Sequence, residues 1–244
     1  MNNETSFIDA VHHRRSVRAY NPDKQIDTTI VKDCIKAATL APNSSNMQLW
    51  EFHHITSPAL LEKMIPFCMD QKAAKTAKQM VVVVVRKDLW KNRIRTHIKY
   101  LTKLFENKEA GEMTPREKFA LSYYRKIMPF VYGEFLGIYG FIKFLLSQII
   151  GLFRPTYRQL RKSDMRIVAH KSAGLAAQTF MLAMAANSYD TCPMEGIDTL
   201  RIKKLLGLPR GSEINMAISC GIRVPDGIYG ERYRIPFDTV YTER

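Results

Sequence analysis

The chain has 244 residues, of which 46% are hydrophobic, 10% aromatic and 25% charged. Those values describe a globular protein and exclude disordered, collagen-like and coiled-coil chains. The length suffices for one large domain or two small ones. Thirty-seven Lys and Arg against 23 Asp and Glu leave a net charge of +14, which favours anionic partners without choosing among phosphate, nucleic acid and lipid.

Ser6–His13 predicts a short helix with Phe7, Ile8 and Val11 on one face, followed at once by the basic run Arg14–Arg18. Asp27–Leu40 predicts a second helix with an acidic start. It ends in the turn-rich loop Ala41–Asn46. Trp50–Ile55 reads as a strand, and Leu60–Met69 and Lys72–Lys78 as helices. Met80–Val85 is a β-branched run without alternation, the pattern of a strand buried on both faces.

The character then changes. Trp90–Lys126 is basic and helix-prone, and Pro129–Phe153 is strongly apolar. From Arg166 a globular pattern resumes. Val168–Asn187 predicts a buried helix of small residues, Tyr189–Gly196 a loop, Thr199–Leu206 a short helix and Ile214–Gly221 a buried strand. The tail Gly230–Tyr241 is basic and extended in character. The expectation is a mixed α+β domain, a central sheet covered by helices. It forms one domain over 1–244, with a basic and apolar insertion at about 87–165.

Between Arg86 and Arg166 stand 18 basic and 7 acidic residues, or +11, leaving +3 for the rest. Charge concentrated beside an apolar run, with no RNP-like or helix-turn-helix pattern, disfavours nucleic acid as a partner. The four cysteines (Cys34, Cys68, Cys192, Cys220) are far apart and form no CxxC pair. Reduced thiols in a cytoplasmic protein are the simpler reading. The N-terminus carries no apolar core of signal-peptide length, so no export is expected. His12-His13 and His53-His54 lack metal-ligand spacing with the cysteines, and no metal site is expected. No P-loop or GxGxxG occurs.

Three separated segments carry residues suited to chemistry. Arg14-Arg15-Ser16-Val17-Arg18 offers forked donors for phosphate oxygens; a solvated turn explains it as well. Pro42-Asn43-Ser44-Ser45-Asn46 offers amides and hydroxyls to a polar ring edge, and equally fits a helix-terminating loop. Pro193-Met194-Glu195-Gly196 suggests close backbone approach to a planar ligand, or simply a turn.

In combination and order these segments resemble the nitroreductase-like family of FMN-dependent oxidoreductases. RRSVRAY is similar to its phosphate-binding opening, APNSSNMQLWEF to its PSSxNxQPW-like loop, CPMEGID to its P-x-E-G segment and RYRIPFDTVY to its basic pair and apolar arm. The likeness covers roughly residues 5–86 and 166–241; Asn43 and Leu49 depart from the usual Ser and Pro. The resemblance implies that Arg14, Ser16, Arg232 and Arg234 hold the FMN phosphate and ribityl chain, with Arg15 beside them. Arg18 would lie at the flavin pyrimidine edge, where a fixed cation favours hydride acceptance. Pro42, Asn43, Ser44 and Asn46 would come from a partner subunit. Pro193 and Met194 would pack on one flavin face, and the backbone of Glu195 or Gly196 would approach N5. A further contact falls within Gln71–Lys75, its register open. An obligate homodimer follows, with the arm from Ile235 exchanged between subunits. NAD(P)H would be the co-substrate, and a nitroaromatic, quinone or similar small molecule the electron acceptor, in ping-pong hydride transfer. The alternative is a flavin-binding or membrane-associated module without NAD(P)H turnover.

The apolar run needs its own account. Phe135–Phe153 holds nineteen residues and one charge, Lys143, and reaches the length of a membrane span. A single crossing would separate Arg14 from Arg232, and four glycines between 133 and 151 lower helix propensity. Two readings stand: a lid in which Phe135, Tyr139, Phe141 and Phe144 wall the substrate, and a peripheral membrane contact through 129–162.

Overall fold

The computed structural model describes residues 6–106, 112–135 and 137–244. Residues 107–111 of the helix-prone stretch and Leu136 of the apolar run lie outside the described residues.

The valine run organises the molecule. Strand β2 (Gln79–Val85) pairs antiparallel with β1 (Trp50–Ile55) on one side and with β4 (Glu213–Gly221) on the other. The fourth strand, β3 (Asp190–Met194), closes the order β1-β2-β4-β3. In register, Phe52 faces Val83, and a bulge falls between Val83 and Val84. All seven β2 residues are buried because the sheet is covered on both faces. Val81, Val83 and Val85 enter one apolar cluster; Met80, Val82 and Val84 enter the other. Each buried valine contributes about 1.5–3 kcal/mol of burial.

The first cluster lies under α2 (Thr28–Ala38) and the long helix α9 (Lys162–Ala186). Ala169, Ala173, Ala176 and Ala177 keep the surface of α9 shallow, so that α2 and the sheet approach closely. The second cluster is roofed by α3 (Pro58–Phe67), α4 (Lys72–Lys75) and α10 (Thr199–Leu205). The short N-terminal helix α1 (Phe7–His13) packs against α9.

The basic and apolar stretch forms α5 (Trp90–Leu104), α6 (Pro115–Ser122), a π-turn at Tyr123–Ile127, α7 (Met128–Tyr132) and α8 (Ile138–Phe153). Its own Ile94, Met128 and Tyr132 are buried in the first cluster, so it shares the main core. Among the described residues, no helix is long and apolar enough to cross a membrane.

Three sequence expectations need correction. Tyr189–Gly196, expected as a loop, contains the strand Asp190–Met194. It is an edge strand, the place where a Pro such as Pro193 can sit without breaking a two-sided ladder. The long helix begins at Lys162 rather than Val168, its first turn closed by the Arg161 amide donating to Asp164 Oδ2 at 2.9 Å. The helix at Lys72 ends at Lys75 instead of Lys78.

Candidate functional site

The first basic segment is held by hydrogen bonds that leave its arginines at the surface. Ser6 caps α1, accepting from the Asp9 amide at 3.1 Å. Beyond His13 the chain extends along β3, with Ser16 bridging Thr191 and the Val17 amide donating to the Thr191 carbonyl at 3.1 Å. Val17 and Tyr20 are buried, and the Tyr20 hydroxyl donates to the Ser219 carbonyl at 2.9 Å. Val17 and Ala19 are buried in alternation with Ser16 and Arg18, which turn outward. The Arg18 amide donates to the Gly227 carbonyl at 2.7 Å. A Cβ at residue 227 would stand 2.5 Å from the Ala19 carbonyl oxygen, so glycine permits this approach.

The same contacts draw in the other end of the chain. Arg232 donates to the carbonyls of His12 at 2.8 Å, Arg14 at 2.7 Å and Val11 at 3.4 Å. These groups lie at the carbonyl end of α1, which attracts a cation. Arg15 donates to the Gly230 carbonyl at 3.0 Å. Beneath them, buried Asp190 accepts from the Arg223 amide and Nε, each at 2.8 Å, while Arg223 also donates to the His13 carbonyl at 3.0 Å. Sequence reasoning missed this pair, because nothing in the order Asp190…Arg223 marks them as partners.

The result is an open cavity of about 340 Å³ lined by Arg14, Arg15, Ser16, Arg18, Arg232 and Arg234, with Tyr229 and Glu231 at its wall. Burial, then the guanidiniums of Arg232, Arg234 and Arg15, lower the proton affinity of Arg14. Guanidinium stays charged nonetheless. Among the described residues, no carboxylate pairs with any of these five arginines. Crowded cations with one carboxylate, Glu231, in the cavity wall and no ion pair formed are relieved by a multivalent anion, and forked donors suit phosphate oxygens.

A second opening, of about 310 Å³, adjoins through Arg18 and Tyr229 and is lined also by Gln71, Lys72 and Ala73. Gln71 Nε2 donates to the Gly196 carbonyl at 3.0 Å. That bond ties the 71–75 segment to the Pro193–Gly196 segment and singles out Gln71 and Lys72, a register the sequence left open. Glu195 and Gly196 are exposed and Pro193 is half-buried. Met194 is buried in the second apolar cluster with Cys192, on the inward side of β3. Burial pushes the Cys192 thiol up, which makes it a poor nucleophile.

Pro42, Asn43, Ser44 and Asn46 lie elsewhere in the chain. Ser45, Asn46 and Gln48 adopt left-handed φ of 54°, 49° and 47°, a strained arrangement for non-glycine residues. It is fixed by Asn43 Oδ1 accepting from the Gln48 amide at 2.8 Å and by Tyr124 donating to the Ser45 carbonyl at 2.9 Å. Tyr123 meets the Ser45 hydroxyl at 2.6 Å, and a His97 ring nitrogen lies 2.7 Å from the Asn46 carbonyl. Ser44 and Ser45 border a cavity of about 300 Å³ with Tyr123, Tyr132 and Tyr157, and none of the site arginines reaches it. One chain thus joins its two basic ends and the 193–196 segment, and holds the 42–46 loop apart. Phe135, Tyr139, Phe141 and Phe144, the wall of the lid reading, do not line the arginine cavity of their own chain. Phe135, Tyr139 and Phe141 face outward.

Comparison with known proteins adds an independent finding. A model of the nitroreductase family matches residues 11–222. Protein DrgA of Synechocystis sp. is 27% identical over 219 residues, covering 90% of this chain and 85% of that protein. YdgI of Bacillus subtilis, whose name places it provisionally among NAD(P)H nitroreductases, is 26% identical over 236 residues, with 96% and 95% covered. A crystal structure from Exiguobacterium sibiricum, provisionally named a nitroreductase and solved in complex with FMN, superposes with a TM-score of 0.67 at 24% identity, covering 98% of both chains.

Proposed function

The chain belongs to the nitroreductase family, and on that premise we propose that it is an FMN-dependent oxidoreductase. It would use NAD(P)H to reduce nitroaromatic, quinone or similar acceptors by ping-pong transfer. The observation that carries this reading is the cavity where Arg14, Arg15, Arg232 and Arg234 converge without a carboxylate partner. A flavin mononucleotide presents a dianionic phosphate, and the donor set fits it.

Within that reading, Arg14, Arg15, Ser16 and Arg234 bind the phosphate and ribityl hydroxyls. Arg232 adds charge, while its N–H groups hold the carbonyl end of α1 and so position Arg14. Arg18, Gln71 and Lys72 face the second opening and orient a polar ring edge there. Pro193 and the exposed backbone of Glu195 and Gly196 flank it, and the Gln71 bond keeps that backbone in place. FMN, when bound, supplies the two-electron chemistry, which explains why no protein nucleophile or metal is required.

The reading includes a homodimer. Ile235, Phe237, Val240 and Tyr241 of the arm are all exposed in one chain, as are Phe7, Ile8, Leu40, Ile167 and Leu175. Apolar exposure on this scale favours a second copy. A second copy would also bring its Pro42, Asn43, Ser44 and Asn46 to the ring, which the loop's position within one chain does not allow.

Purified protein should be yellow, release FMN on denaturation, and bleach anaerobically with NADH or NADPH. The acceptor should then restore the colour, with parallel double-reciprocal plots. Protein without flavin that takes up none on titration would overturn the reading. Flavin that neither nicotinamide bleaches would instead assign a binding module.

A further inference from the structure

Helix α8 is amphipathic in the inverted sense. Its buried residues are Gly140, Lys143 and Ser147, which share one stripe, while Ile138, Tyr139, Phe141, Ile142, Leu145, Leu146, Ile149, Ile150, Leu152 and Phe153 are all exposed. At about 100° per residue those ten occupy one continuous half of the helix circumference, about 180°, with no polar residue among them. The polar side faces the protein and the apolar side faces out. Ordinary surface helices do the opposite.

The helix cannot roll to hide this face. Lys143 Nζ donates to the carbonyls of Phe130 at 2.9 Å, Val131 at 3.1 Å and Gly133 at 2.8 Å. Gly140 lies so close to the main chain that a Cβ there would stand 3.0 Å from the Lys162 amide. Rolling α8 would strip a buried ammonium of its partners, a heavy penalty. Cations border the apolar half on one flank. Arg158 donates to the Gln148 side chain and the Gly151 carbonyl, each at 2.7 Å, and Arg161 covers the Phe144 ring at 3.7 Å.

We propose that α8 lies in the plane of an anionic lipid surface, its apolar half among the acyl chains and Arg158 and Arg161 at the headgroups. The helix has 16 residues, about 24 Å, too short to cross a bilayer core of about 30 Å but long enough to lie along its interface. Charge selects lipid over a second copy of the chain. The segment from Arg86 to Arg166, which contains α8, carries +11 in sequence, so two copies meeting through it would bring like charges together, whereas anionic headgroups neutralise them. The inference is independent of flavin binding.

Full-length protein as purified should co-sediment with phosphatidylcholine vesicles containing phosphatidylglycerol at least about tenfold more strongly than with phosphatidylcholine alone. The outward double variant Leu145→Glu/Ile149→Glu should lose at least about tenfold of that binding, with unchanged circular dichroism and melting temperature. Arg158→Gln/Arg161→Gln should narrow the gap between the two vesicle types. Wild type that stays in solution with both vesicles overturns the proposal, as does a Glu double variant that binds like wild type. A Glu double variant that dissociates a wild-type dimer, where wild type ignores vesicles, overturns it in favour of a second copy.

Discussion

Replacing Arg14 by Ala should weaken flavin binding without weakening the fold. Arg14 stands where burial and three neighbouring guanidiniums crowd its charge. Removing it relieves that repulsion in the empty protein, so the melting temperature without ligand should hold or rise. With FMN the sign reverses. A charge-assisted phosphate contact is worth about 1.5–3 kcal/mol, roughly ten- to a hundredfold in affinity. At an FMN concentration about 100 times the wild-type Kd, ligand stabilises wild type by about 2.7 kcal/mol. A variant ten- to a hundredfold weaker retains about 1.4 to 0.4 kcal/mol at the same concentration. Paired thermal scans with and without FMN read this directly. A variant that melts lower without FMN yet gains the full wild-type increment from it would refute the phosphate role and leave Arg14 a structural residue.

Other outcomes follow from the same geometry. Gly227→Ala places a Cβ 2.5 Å from the Ala19 carbonyl and 2.9 Å from that of Val224. It should cost about 1–3 kcal/mol and loosen FMN with it; an unchanged denaturation midpoint would contradict that contact. Met194→Ala should cost about 2–5 kcal/mol as a core truncation, while FMN affinity of the folded protein stays within a few-fold of wild type. Burial pushes the Cys34 and Cys68 thiols up to about 11, from an ordinary value near 9. The unfolded chain therefore ionises first, and stability present below pH 9 should fall as pH rises toward 11. Urea midpoints at pH 8 and pH 10 check the sign, and a higher midpoint at pH 10 would contradict it. Removing residues 235–244 should shift the protein toward monomer in light scattering; an unchanged dimer would show that the arm does not hold it.

The sheet and its helices were largely legible, because burial leaves a periodic trace. Trp50–Ile55 and the valine run were readable to within a residue, since nothing but a two-sided strand explains five consecutive valines. Strand Asp190–Met194 was not, because Pro and Asp are poor strand formers and only its place at a sheet edge tolerates them. The convergence of Arg14 with Arg232 and Arg234 came from resemblance, not from pattern. No local signal reports that residues 218 positions apart meet, as Arg232 and the Arg14 carbonyl do. The register within Gln71–Lys75 and the Asp190–Arg223 pair were invisible for the same reason. The burial of Met194 was hidden for a local reason: a segment taken for a loop carries no inward and outward side, whereas a strand does. The inverted polarity of α8 was half visible, its apolar length in the sequence and its pinned inner stripe only in the contacts of Lys143.

The central claim is that cations from both ends of the chain bind one phosphate. Parallel titrations of the flavin-free protein with FMN and with riboflavin, which lacks only that phosphate, test it most directly. Two charge-assisted contacts predict that FMN binds at least about a hundredfold more tightly, with a preference that shrinks as salt rises. Equal affinity for the two flavins would contradict the claim.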